Sequence, residues 1–166
     1  MLKKGDILLI RNWFDPFCWI ISWCTKSKWT HTAWILDNKW LLESRSSGVV
    51  KNPISKYLSF KHRWIYSCRA FRLKGDRTLQ IRNSMRYGLK LHKKRHYFKF
   101  LWSLFLIGVG KRREKSHMSC SGFVAYCLSK EGIKLHKTKN PLDVVPGDIA
   151  KSKELKDVTA KDLRHF

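Results

Sequence analysis

Ser119-Cys120-Ser121-Gly122-Phe123-Val124 sets a cysteine at the head of an apolar run that continues through Ala125, Cys127 and Leu128. Apolar residues at three- and four-residue steps, closed by Gly132, read as a helix running from Cys120 to about Lys130. A thiol on its first turn meets the free N–H groups and the positive end of the helix dipole. That setting favours thiolate. Far upstream, Thr30-His31-Thr32 and Glu43 lie in strand-like segments. Cysteine, histidine and a carboxylate are the residue types that thiol-based acyl transfer uses. The thiolate attacks, the imidazole moves the proton, and the acid orients the imidazole.

The strands come first. Gly5-Asp6 is a turn before the buried strand Ile7-Leu8-Leu9-Ile10. Asp15-Pro16 starts a short helix to about Cys24, with Asp as cap and Pro at the first helical position. Thr30 to Leu36 is a strand, Asp37-Asn38 a turn, Trp40 to Arg45 its hairpin partner, and Gly48-Val49-Val50 a short third strand. Pro53 to Leu58 forms a helical turn and Arg63 to Phe71 another strand. From Thr78 the period becomes helical, on Leu79, Arg82, Met85, Arg86 and Leu89, and a second amphipathic stretch covers about Tyr97 to Ile107. Pro146-Gly147-Asp148 precedes a short helix near Ile149 to Leu155. Strands mostly before helices predict an α+β fold, an antiparallel sheet packed against helices, in one domain over 1–166.

Composition fits such a domain. The chain has 166 residues, 43% of them hydrophobic, with eight Trp expected to add large burial. The formal net charge is +23, from 35 Lys and Arg against 12 Asp and Glu, which attracts anionic partners. The five Cys (18, 24, 68, 120 and 127) include no C-x-x-C pair and have no regular spacing. They predict neither a disulfide framework nor a structural metal site, and they fit a reducing compartment. Cys18, Cys68 and Cys127 read as small core residues. The uncharged runs Pro16 to Thr25 and Phe100 to Gly110 fall short of the roughly 20 residues that cross a bilayer. No secretion leader or spanning segment is expected, hence a cytoplasmic or peripheral protein.

Each candidate has a plain alternative. Cys120 also reads as a buried helical cysteine, and His31 as a structural histidine, with His117 a rival base close to Cys120. Glu43 also reads as a surface acid paired with Arg45. Register decides its role. A two-residue turn at Asp37-Asn38 pairs Thr32 with Glu43 and turns Glu43 away from His31. A functional Glu43 therefore requires a loop of odd length, such as Asp37 to Lys39, or a bulge.

Cys120-Ser121-Gly122-Phe123-Val124 resembles the nucleophile motif of NlpC-type cell-wall peptidases, a papain-like superfamily. His31 preceding Cys120 resembles the circularly permuted branch, the YiiX/YaeF-like group. Gly5-Asp6-Ile7-Leu8 resembles its opening strand, Thr30 to Ile35 its His strand, Glu43-Ser44 with Gly48-Val49 its acid-bearing strand, and Pro146 to Ser152 its closing segment. The chain departs from that group at Ser119, where an aromatic is usual, and at Gly122, where Glu is usual. It also lacks the Asn-Cys-Glu-His motif of the related lecithin:retinol acyltransferase branch. The resemblance implies a thiol hydrolase of permuted papain-like fold. Cys120 is its nucleophile, His31 its base and then acid, and Glu43 its orienting residue. The Cys120 backbone N–H is the expected oxyanion donor. The expected substrate is a peptide, an amide such as a peptidoglycan peptide, or another acyl compound. Neither a cofactor nor a metal is implied. The alternatives are an esterase or acyltransferase acting on lipid, and a non-catalytic basic module.

The last pattern is basic. Lys90, Lys93, Lys94, Arg95, Lys99, Lys111, Arg112, Arg113 and Lys115 flank an apolar run rich in Phe, Trp and Leu. It reads either as a core helix with solvated flanks or as a dock for anionic wall polymer or a lipid surface, with Lys111, Arg112 and Arg113 of the following basic loop as the residues that bind it. No recognised nucleic-acid motif accompanies the charge.

Overall fold

The computed structural model describes residues 2–45, 47–59, 64–91 and 118–159. The predicted stretch at 97–107, the basic residues Lys111, Arg112 and Arg113, and His117 lie outside the described residues.

Chain order is β1 (Ile7–Asn12), α1 (Pro16–Thr25), β2 (His31–Ile35), β3 (Trp40–Arg45), β4 (Gly48–Pro53), α2 (Ser55–Leu58), β5 (Tyr66–Leu73), α3 (Thr78–Leu91), α4 (Cys120–Ser129), a 3-10 turn (Pro141–Asp143), α5 (Pro146–Ala150) and β6 (Leu155–Asp157). The strands form one six-stranded sheet in the order β4-β3-β2-β1-β5-β6. Every neighbouring pair is antiparallel. The protein is therefore α+β, as its strand-then-helix pattern predicts.

The unbroken apolar run of β1 follows from its central place, since both faces of the sheet are covered. Ile7 and Leu9 join Trp34, Leu42 and Phe71 on one face, packed against Met85 of α3 and Phe123 and Val124 of α4. Leu8 and Ile10 join Ala33, Ile35, Leu41 and Ala70 on the other, under Ile54, Tyr57 and Leu58. Asp6, buried at the start of β1, takes a two-pronged ion pair from Arg72 of β5 at 2.7 and 2.8 Å.

Three expectations need correction. The last helix starts at Pro146, where Asp148 accepts the Val145 N–H at 3.0 Å, and Leu155 opens a strand instead of ending that helix. A three-residue edge strand is too short to show a period; pairing with β5 makes it one. The aromatic content is also less buried than composition predicts. Trp29 and Trp34 are core residues, whereas Trp13, Trp19, Trp23, Trp40 and Trp64 are exposed. Finally, Cys18 and Cys68 are only half-buried; Cys127 alone of the three is a core residue.

Candidate active site

The hairpin of β2 and β3 builds the site. Its loop is Asp37 to Lys39, an odd count, because Leu36 donates its N–H to the Trp40 carbonyl at 2.9 Å. The ladder continues through Trp34 opposite Leu42 and then stops. At the next step Thr32 would face Ser44. Instead the Thr32 N–H turns to the Cys120 sulfur, and the Ser44 hydroxyl donates to the Met118 carbonyl at 2.9 Å. The first turn of α4 enters where the two strands part. It takes up hydrogen-bonding groups that a longer ladder would have consumed.

The same register puts Glu43 on the face that carries Ala33 and His31, the condition set by the odd loop. Glu43 Oε2 is hydrogen-bonded to His31 Nε2. That leaves Nδ1 of the ring for Cys120, whose thiol is hydrogen-bonded to His31. The three predicted residues are thus brought together as a chain of sulfur, imidazole and carboxylate.

Glu43 is fully buried, and its carboxylate is held from several sides. Tyr57 donates its hydroxyl to Oε2 at 2.7 Å, Asn52 donates to Oε1 at 2.5 Å, Arg45 Nε lies 3.1 Å and Lys56 Nζ 3.4 Å from Oε1. The reading of Glu43 as a surface acid is therefore corrected: it does pair with Arg45, but from full burial, and the same carboxylate holds the histidine. Tyr57, Asn52 and Lys56 were not legible as site residues. The only sequence signal was alternation along β4, which puts Asn52 on the side of Val50, the partner of Glu43.

The electrostatics follow from these contacts. Burial opposes the carboxylate, but His31, Tyr57 and Arg45 outweigh it and hold Glu43 well below the usual carboxylate range. Burial likewise pulls the His31 imidazolium down. The Cys120 thiolate and Glu43 overcome that and raise it to about 9. For Cys120, burial raises the thiol, whereas the charge and hydrogen bond of His31, with the N–H groups of Thr32 and Ser121, bring it below its ordinary value. Cys68 and Cys127, with burial and no cation, are pushed up to about 12. Cys18 is raised as well. All five cysteines are free thiols. Cys120 and His31 are partly exposed, so the pair faces solvent while its carboxylate does not.

The small residues around Cys120 serve packing. Ser119 caps α4 by accepting the Gly122 N–H at 3.0 Å. Ser121 is buried and donates to the Val144 carbonyl at 2.6 Å. A Cβ on Gly122 would stand 2.6 Å from the Leu142 carbonyl oxygen, so glycine lets α4 seat on the 3-10 turn. Cys120 is the first residue of α4, where a backbone N–H has no partner inside the helix.

No protein-family model matches the chain, and no curated protein does. A solved structure does. The crystal structure of the metalloprotein yiiX from Escherichia coli O157:H7 aligns with a TM-score of 0.67, covering 94% of this chain and 96% of that chain, at 18% identity. The fold is YiiX-like. Identity this low speaks for architecture alone. The activity of the site has to be argued from its own geometry.

Proposed function

We propose that the chain is a cysteine-dependent hydrolase of circularly permuted papain-like type that cleaves an amide bond through an acyl-enzyme. One observation carries this reading. The Cys120 thiol is hydrogen-bonded to an imidazole that is itself fixed by a fully buried carboxylate. The chain order of His31, Glu43 and Cys120 and the YiiX-like fold support the permuted NlpC-type assignment.

In the reaction, Cys120 Sγ attacks the carbonyl carbon and the carbonyl π pair moves to oxygen. The Cys120 N–H, at the head of α4, stabilises that oxyanion. Collapse breaks the C–N bond, and the His31 imidazolium gives its proton to the leaving amine. A thioester and neutral imidazole remain. Imidazole takes a proton from water, hydroxide oxygen attacks the thioester, and the C–S bond breaks. Carboxylic acid leaves and the thiolate–imidazolium pair is restored. Glu43 keeps Nε2 engaged throughout, so Nδ1 faces the sulfur.

The YiiX-like neighbour is described as a metalloprotein. Among the described residues of this chain, no group of three His, Cys, Asp or Glu side chains could hold a metal ion. Both Glu43 oxygens already serve His31, Tyr57, Asn52, Arg45 and Lys56. The donors among the described residues do not fit a metal, and no step is routed through one.

Peptidoglycan peptides and simple amides are the substrates to test, with intact-mass detection of a Cys120 acyl adduct. Turnover that persists in Cys120→Ala, or adducts spread evenly over the five cysteines, would overturn the proposal.

A further inference from the structure

The exposed aromatics are not scattered. Trp19 (68% exposed), Ile20 and Trp23 (83%) lie at helical spacing along one side of α1. Phe14 (74%) and Trp13 precede them, and Trp19 Nε1 donates to the Trp13 carbonyl at 3.2 Å. The Trp13 N–H donates to the Ile65 carbonyl at 3.1 Å, which sets exposed Trp64 beside them. This apolar face makes no extensive contact with any other described helix or strand. Arg11, stacked on Trp13 at 3.8 Å, and exposed Lys26, which follows the last residue of α1, flank it with positive charge. A patch this rich in aromatics is far from the ordinary surface of a monomer.

We propose that α1 and its flanks form a docking surface for an anionic phospholipid bilayer, with the helix lying in the interface. Charge and residue type choose this occupant. At +23, two copies of the chain repel each other, whereas the same charge is attracted to an anionic leaflet. Tryptophan, with an apolar ring and a polar N–H, favours the headgroup boundary, and aromatics with basic flanks are the composition of an interfacial helix. No described helix is long and apolar enough to cross a membrane, so the helix lies along the surface.

The location gives the dock a purpose. Ile10 pairs with His31, so the excursion that carries α1 leaves and rejoins the sheet at the end that bears His31. Docking through α1 brings the Cys120 end of the molecule to the headgroup level. The surface stands on its own observations and holds whatever bond the site cleaves.

The test is co-flotation with vesicles of phosphatidylcholine and phosphatidylglycerol, with phosphatidylcholine alone as control. Brominated acyl chains serve as tryptophan quenchers. Wild type should float with the anionic vesicles and be quenched. Trp19→Ser with Trp23→Ser should lose at least about tenfold in partitioning, since each exposed ring loses its burial in lipid. Phe14→Ser, outside the helix, should act in the same direction. Lys4→Glu with Lys74→Glu changes charge at the opposite end of the sheet, where β1 begins and β5 ends, and should cost far less at physiological salt. Undiminished flotation of the Trp19/Trp23 variant, or its loss equally in the lysine variant, would overturn the proposal. So would wild type that ignores vesicles and self-associates through the same tryptophans.

Discussion

The Tyr57 hydroxyl donates to Glu43 Oε2 at 2.7 Å, the same oxygen that holds His31 Nε2. One carboxylate oxygen thus joins α2 to the imidazole, while the other gathers Asn52, Arg45 and Lys56. The buried charge is neutralised from β3 and α2 and hydrogen-bonded from β4 before it acts on histidine. This is the condition under which a buried charge is tolerated. It also raises the phenol of Tyr57, which burial and the adjacent carboxylate both keep protonated and able to donate.

Removing that donor should be measurable without touching the reacting atoms. Tyr57→Phe leaves the ring in the core but takes away a hydrogen bond to a charged acceptor. The expected loss is about 1.5–3 kcal/mol in urea unfolding. Tyr57 is a positioning residue, so turnover should fall while Cys120 still alkylates selectively. Unchanged stability would mean that Asn52, Arg45 and Lys56 suffice alone.

Glu43→Gln keeps the shape and deletes the charge. His31 then loses the carboxylate that offsets its burial, and its imidazolium falls from about 9. Cys120 in turn loses much of the cation that lowers it. The midpoint of its alkylation should move up, and each unit costs about tenfold in thiolate below that midpoint. An unmoved alkylation profile in the variant would remove Glu43 from the electrostatic chain.

The pH dependence has a definite sign. Cys120 ionises below its ordinary value and His31 stays protonated to about 9, so the thiolate–imidazolium pair exists between those limits. Alkylation should rise through a midpoint below the ordinary thiol value. Amide cleavage should rise with it and fall as His31 deprotonates near 9, since the leaving amine then has no proton donor. Folding follows the same groups. The His31 contribution is complete below its ordinary 6.5 and lost as pH rises through about 9. The Glu43 contribution is complete above its ordinary 4.5 and lost as pH falls below it. Urea midpoints measured across pH should therefore form a plateau that declines on both sides. Stability that increases on acidification below 4.5 would contradict the buried carboxylate.

Much of this was readable in the chain because it is local. Alternation marks β1 to β3, and a thiol before an apolar helical period marks Cys120. Hairpin parity even states the loop length under which Glu43 can meet His31. What was not readable depends on non-local contact. Tyr57 enters the site because α2 folds under the sheet, and β6 exists through pairing with β5. The tryptophans of α1 carry an apolar composition like that of a core helix. Sequence cannot tell a stripe that finds a neighbour from one that does not.

Gly122 makes the final test, because its role in sequence differs from its role in the fold. In sequence it stands only as part of the cysteine motif. In the structure a Cβ there meets the Leu142 carbonyl oxygen at 2.6 Å and Ser119 Oγ at 2.8 Å. Backbone cannot swing aside as a side chain can, so Gly122→Ala should push α4 off the 3-10 turn at about 1–3 kcal/mol, as overpacking does. The shift reaches Cys120 two residues away and should slow its selective alkylation. Gly132→Ala is the matched control. It has open space around its Cβ but a φ of +76°, so its cost of about 1 kcal/mol is backbone strain far from the sulfur. It should lower stability and leave the alkylation profile unchanged. Should Gly122→Ala also leave that profile unchanged, the seat of α4 on Leu142 would not be what positions the nucleophile.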